Sequence, residues 1–251
     1  MAVLSAQNRV VSCWSGGIES EATAGALPVF VSHLSPGEHF WLTAQYLSSY
    51  SGKENAIWSV KSEISLPIGS LDVLFGSSLA WVTEEQCLDL GLNYELGECW
   101  TVRLAGGICR FVCPDESPYI AGVVQAGGYY RPTAHFLCFV ETDNLTLSRC
   151  RELNFPAEYA VGTQYEVSEH LNLAGKISKQ LRQAVSLHLG MTETWPLSDH
   201  FCVSLMTGVR YPNIRPSFGM QLRYKSLSFL SCLVWDLNLG PASGMSFSLA
   251  I

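Results

Sequence analysis

Two stretches of the chain bring glycines together with hydroxyl, aromatic or charged side chains. Pro118 to Glu141, PYIAGVVQAGGYYRPTAHFLCFVE, reads as an apolar strand over Ile120 to Val124, a glycine turn at Gly127, Gly128, Tyr129 and Tyr130, and a second apolar run over Ala134 to Val140. Glycine permits positive φ and close approach of the backbone to another group, so such a turn is either a plain hairpin or a ligand cradle. Nearer the start, the short run Val10 to Trp14 leads into Ser15-Gly16-Gly17-Ile18-Glu19-Ser20. A strand feeding a glycine loop can hold a phosphate on backbone N–H groups when a helix follows.

Cysteine supplies the other candidate chemistry. The nine cysteines are at 13, 87, 99, 109, 113, 138, 150, 202 and 232. An odd number spread over a long chain, with no charged-then-apolar leader at its start, reads as reduced thiols in an intracellular protein. Cys109 and Cys113 have only His135 nearby in sequence, which falls short of the paired knuckles of structural zinc. They read as core-facing thiols, with no metal and no cofactor implied.

These stretches need a scaffold, and the 251 residues are ample for one. Hydrophobic residues make up 48% and charged residues 15%, the composition of a folded protein. A formal net charge of -7, with no run of Lys and Arg, argues against a nucleic-acid partner. No apolar run approaches the roughly 20 residues that a membrane span requires, so no membrane is expected either.

From Leu27 to Leu104 short β-rich runs alternate with turn residues: Phe40 to Ala44, Ile57 to Val60, Leu71 to Phe75 and Leu79 to Val82, broken at Pro67-Ile68-Gly69 and Gly76-Ser77-Ser78. This spacing predicts an antiparallel sandwich or barrel. Gly97 to Leu104 and Tyr159 to Val167 add strands, as do Phe201 to Leu205, Met220 to Tyr224, Leu227 to Leu237 and the alternating end Met245 to Ile251. One amphipathic helix is predicted over 168–189, with Ser168 as N-cap, Gly190 as its stop, and Ile177, Leu181, Ala184, Val185 and His188 on one face. The organisation expected is a β domain over 1–165, followed over 166–251 by the helix and further strands as a continuation or second lobe.

Taken together, Asp89-Leu90-Gly91-Leu92, Trp100 to Gly107 and Gly122 to Tyr129 resemble the core of dUTP pyrophosphatases, and specifically the dUTPase-related proteins of herpesviruses. The resemblance implies a mainly β, dUTPase-like jelly-roll barrel or sandwich. It also implies a nucleotide site at Gly106, Gly107, Gln125, Gly127 and Tyr129. In that family an Asp in the hairpin binds the sugar and orients water; Gln125 stands in its place, and an amide cannot act as general base. Ala105-Gly106-Gly107-Ile108 lacks the hydroxyls and guanidinium of the family's phosphate loop. No catalytic residue is therefore assigned.

What the resemblance implies is a catalytically inactive viral protein in the host cytoplasm or nucleus that binds host or viral proteins. Tyr129, Tyr130 and Arg131 are the candidate contacts, since Tyr and Arg are enriched at hot spots. Two alternatives stand beside it. One is an active nucleotide hydrolase, either a divergent dUTPase or an enzyme using Ser15 to Ser20, which resembles the SGGxDS loop of ATP pyrophosphatases with Glu19 in place of Asp. The other is a structural or lectin-like β-sandwich.

Overall fold

Large apolar side chains alternate with small or polar ones along most strands, and the alternation runs inside out. On the strand through Leu88, Leu90, Leu92, Tyr94 and Leu96 these five residues are exposed, whereas Cys87, Gly91 and Asn93 between them are buried. Elsewhere Glu63, Asp72 and Arg103 are buried, while Leu104, Ile120 and Val140 are 60%, 68% and 59% exposed. In water so broad an apolar exterior would drive association; a sheet with this pattern encloses its polar face and offers the apolar one to lipid.

The computed structural model describes residues 22–23, 26, 39–48, 56–80, 83–112, 118–143, 149–150, 153–154, 157–181, 183–237 and 240–251. The strands are β1 (Phe40–Ser48), β2 (Ala56–Leu66), β3 (Gly69–Ala80), β4 (Thr83–Leu96), β5 (Trp100–Val112), β6 (Tyr119–Thr133), β7 (Phe136–Asp143), β8 (Arg149–Cys150), β9 (Leu153–Asn154), β10 (Glu158–Glu166), β11 (Leu171–Gln180), β12 (Val185–Ser198), β13 (Phe201–Tyr211), β14 (Arg215–Tyr224), β15 (Leu227–Asp236) and β16 (Gly240–Ala250). All but β8 and β9 form one closed antiparallel barrel of 14 strands, and those two pair as a small separate hairpin. Each barrel strand pairs with its neighbours in sequence, except that β7 pairs β10 and β1 closes on β16. Closure satisfies every edge, which is what allows a sheet to sit in hydrocarbon.

The two rims differ. At one, short turns at 67–68, 97–99, 134–135, 167–170, 199–200 and 225–226 join the strands, and β1 meets the end of the chain, where the amides of His39 and Phe40 both donate to the Ile251 carbonyl. Gly69 and Gly97 adopt φ of +145° and +71° in these turns, a region that side chains disfavour. The connections at the other rim include the much longer 49–55, 113–118 and 144–157. Outward-facing aromatics gather toward both rims: Tyr94, Trp100, Tyr130, Tyr165 and Tyr224 at the short-turn end, and Tyr46, Trp58, Tyr159, Tyr211 and Trp235 at the other. Trp100 and Tyr130 stack with centroids 4.5 Å apart. Phe201 and Tyr211 lie at opposite ends of β13; ten residues at about 3.3 Å each and a tilt of ~40° span about 25 Å, the height of a membrane-barrel belt.

The chain is β as its short runs predict, but the jelly-roll architecture is not found, and neither is the helix over 168–189. Residues 167–170 form a turn, closed by the Leu171 and His170 amides donating to Ser168 Oγ at 3.2 and 3.3 Å, and β11 and β12 follow. Ile177 and Val185 satisfy a helical spacing and a period of two alike, and the neighbouring strands supply the hydrogen bonds that settle the competition. The glycine turn at 127–130 lies in mid-strand of β6, with the true turn at 134–135; Gly76-Ser77-Ser78 likewise lies within β3. Val10 to Trp14 and Ser15 to Ser20 fall outside the described residues.

Candidate channel lumen

One wall of the interior is a hydrogen-bonded polar network carried by β2 to β5. Arg103 of β5 donates from Nη2 to Asp72 Oδ2 of β3 at 2.8 Å and from Nη1 to Asp72 Oδ1. The pair reaches across β4, where Gly91 leaves the room: a Cβ there would come within 2.6 Å of Asp72 Oδ1 and 2.7 Å of Arg103 Cζ. Arg103 Nη1 also donates to Asn93 Oδ1 at 3.3 Å, Asn93 Nδ2 to Ser70 Oγ at 2.9 Å, and Ser70 Oγ to Glu63 Oε1 at 2.6 Å. Buried charges persist only when paired and hydrogen-bonded, so the network keeps three ionisable groups inside the ring. Tyr129 Oη donates to Glu141 Oε1 at 2.9 Å beside it, with Gly127 leaving space for the Tyr129 ring.

The facing wall carries a line of basic side chains. Pairing places Lys176 of β11 opposite His188 of β12, His188 opposite Arg210 of β13, and Arg210 opposite Arg215 of β14. All four belong to the inward-facing set, and Lys176, His188 and Arg215 are buried. His188 Nε2 shares a 3.1 Å hydrogen bond with Ser178 Oγ, and Arg210 Nη2 donates to Ser186 Oγ at 3.3 Å. The row lies toward the rim with the long connections.

Part of the chain that precedes the barrel lies inside it. Ala22, Thr23 and Ala26 are buried, the Ala26 amide donates to the Thr23 carbonyl, and Ser217 Oγ donates to the Ala22 carbonyl at 2.8 Å. Glycines make the seat: a Cβ on Gly190 would meet Thr23 Cβ at 2.9 Å and Ala26 Cβ at 3.0 Å, and one on Gly219 would meet Ala22 Cβ at 2.5 Å. Ala22 clusters with Leu47, Met206, Leu230, Cys232 and Val234. The interior is thus partly filled by the protein's own segment, seated one inward step from the basic row.

The residues singled out from sequence do not converge on a nucleotide pocket. Gln125, Gly127 and Tyr129 share the inner face of β6, Gly107 faces inward on β5, and Gly106 faces outward. Tyr130 faces outward in the aromatic rim, and Arg131 is exposed with its amide donating to the Cys99 carbonyl. Cys87 and Cys109 stand opposite one another on β4 and β5 and form a disulfide, so Cys109 is not a thiol. Cys13 and Cys113 lie outside the described residues. Among the described residues no three His, Cys, Asp or Glu side chains converge as a metal ion would require. What sequence reasoning missed was the row of four basic residues and the seat of small residues. The signal for both was the inward half of a period-two alternation.

No family model matches the sequence, and no curated protein does. Solved structures match over nearly the whole chain. The Pseudomonas putida toluene transporter TodX aligns at 8% identity over 93% of this chain and 96% of its own, with a TM-score of 0.66. The CymD monoaromatic hydrocarbon channel aligns at 9% over 94% and 98%, with a TM-score of 0.65. A Pseudomonas aeruginosa FadL homologue aligns at 9% over 93% and 97%, with a TM-score of 0.61. At such identities the likeness is one of fold.

That fold overturns the resemblance to herpesvirus dUTPase-related proteins. With it go the viral immune-modulating reading, the nucleotide-hydrolase alternative and the lectin-like sandwich. The expectations of no membrane and of a host cytoplasmic or nuclear location fail on the apolar exterior. The length rule for a helical span does not apply to strands, which cross with about 9–11 residues each and offer only every second one to lipid.

Proposed function

We propose that the chain is an outer-membrane barrel that passes small apolar molecules, monoaromatic hydrocarbons among them, through a lumen partly filled by its own leading segment. The observation that carries this reading is the inversion of the sheet, apolar outside and polar within, in a closed ring of 14 strands with Ala22, Thr23 and Ala26 seated inside. The titles of the similar structures, a toluene transporter and a monoaromatic hydrocarbon channel, supply the class of passenger. A barrel suits this work because a hydrated saccharide surface bars apolar solutes from an outer membrane, whereas a walled lumen leads past it.

The test is uptake in cells. Produced in a Gram-negative host without hydrocarbon channels, the protein should insert as a heat-modifiable barrel and raise the initial rate of radiolabelled toluene entry. A correctly inserted barrel that leaves toluene entry at the background rate contradicts the proposal.

A further inference from the structure

The inner wall carries one acid that the polar network leaves out. Asp89 points inward on β4 and is half-buried, with its carboxylate laid across the bare backbone of Gly107, where a Cβ would collide with Asp89 Oδ1. Among the described residues Asp89 makes no hydrogen bond and no ion pair. The charged groups around it are engaged elsewhere: Asp72 and Arg103 grip each other, Glu63 accepts from Ser70, and Lys61 lies over the Trp41 ring at 5.8 Å. A carboxylate without a protein donor keeps its acceptor capacity for a partner that arrives through the lumen.

Gln125 stands on the far side of β5. Pairing sets Asp89 opposite Gly107, and Gln125 opposite Ala105, the next inward position of that strand. The side-chain amide of Gln125 likewise makes no hydrogen bond among the described residues, and it is not sealed off from the lumen. Acid and amide thus flank a floor of one glycine and one alanine. The disulfide of Cys87 and Cys109 closes that floor toward the rim with the long connections, and the pair of Asp72 and Arg103 closes it toward the short turns. Leu74 opposite Asp89 and Val123 opposite Gly107 are apolar and buried, so the field of the carboxylate is weakly screened there.

An ammonium group fits this pair of acceptors. Its three N–H donors can serve the Asp89 carboxylate and the Gln125 carbonyl oxygen together, the first through charge-assisted bonds. An anionic passenger would meet Asp89 as a like charge, and a hydrocarbon would leave its hydrogen bonds unmade. We infer that Asp89 and Gln125 form a binding site for a primary ammonium on the inner wall, so that the lumen takes a small organic amine in its cationic form. The inference rests on the transport reading and adds a substrate class to it. Asp89 supplies the charge, Gln125 accepts a second hydrogen bond, and Gly107 gives the carboxylate its place. No covalent step is involved.

The experiment titrates the purified full-length barrel in detergent at about pH 8, where carboxyl groups are ionised, with benzylammonium, benzyltrimethylammonium, benzyl alcohol and benzoate. The four keep one ring and change only the charge and the donors. Benzylammonium should bind about tenfold more tightly than the alcohol, since hydrogen bonds to charged groups exceed neutral ones by that order, and benzoate should bind weakest. Added salt should weaken benzylammonium binding. Asp89→Asn should bring benzylammonium down to the level of the alcohol, and Gln125→Leu should weaken it about fivefold, the worth of one hydrogen bond. Should Asp89→Asn fail to fold, the ranking of the four probes on the native barrel decides by itself. Benzyltrimethylammonium binding as tightly as benzylammonium would mean diffuse attraction by lumenal charge and overturns the inference. Equal binding of benzylammonium and benzyl alcohol, or a preference for benzoate, overturns it too. Toluene entry in cells without a benzylammonium preference sinks the inference and spares the transport reading; a benzylammonium preference without toluene entry does the reverse.

Discussion

The guanidinium of Arg103 holds both carboxylate oxygens of Asp72 from two strands away, over the bare backbone of Gly91. Arg103 and Asp72 are 3% and 1% exposed, so neither charge has water to fall back on. Asp72→Ala should therefore destabilise the folded barrel by ~3–5 kcal/mol, the range for breaking a buried pair. Gly91→Ala should act in the same direction while leaving both charges in place, because its methyl would occupy the space through which they meet. Both are read as the shift in urea midpoint in lipid vesicles, and an unchanged midpoint for the pair of variants would contradict the arrangement.

The seat of the inner segment offers a second handle. Gly190→Val places a branched side chain where Thr23 and Ala26 lie, and should displace the segment and raise single-channel conductance in a planar bilayer. Ser217→Ala removes only the hydrogen bond to the Ala22 carbonyl, about 1 kcal/mol, and should raise the population of displaced segment by a factor of about five. Conductance traces identical to the native barrel in both variants would mean that the segment does not obstruct the lumen.

Cys87 and Cys109 join the hairpin of β4 and β5 on its inner face, against Ala121 and Val123. Reduction should add about two mass units and destabilise the barrel by about 3 kcal/mol, the value for closing a loop of this order. Intact mass before and after reduction, with the matching urea midpoints, checks both statements.

The strands were legible in sequence and their arrangement was not. Runs such as Phe40 to Ala44, Leu71 to Phe75 and Leu227 to Leu237 lie within β1, β3 and β15, with the last running one residue past the end of β15, because β-rich residues between turn formers leave few other options. The alternation of Met245 to Ile251 is equally clear, yet alternation says only that the two faces differ, not which of them meets water. Asp89-Leu90-Gly91-Leu92 shows the consequence. Read as a nucleotide motif, it is two outward leucines, an inward acid and a glycine that makes way for Arg103 and Asp72. The inner network was hidden for a different reason: Glu63, Asp72, Asn93 and Arg103 come together only through register across four strands, which no local window contains.

The central claim, that a closed ring of strands turns its apolar face to lipid, is tested most directly on β11, where the sequence reads equally as a helix. Single nitroxide labels at 173 to 179, in the barrel reconstituted in lipid, would be scored for access to dissolved oxygen. The expected profile has period two, with maxima at 173, 175 and 177 and minima at 174, 176 and 178, the inward positions of Ala174, Lys176 and Ser178. A profile with a period near 3.6, or one without alternation, would contradict the account.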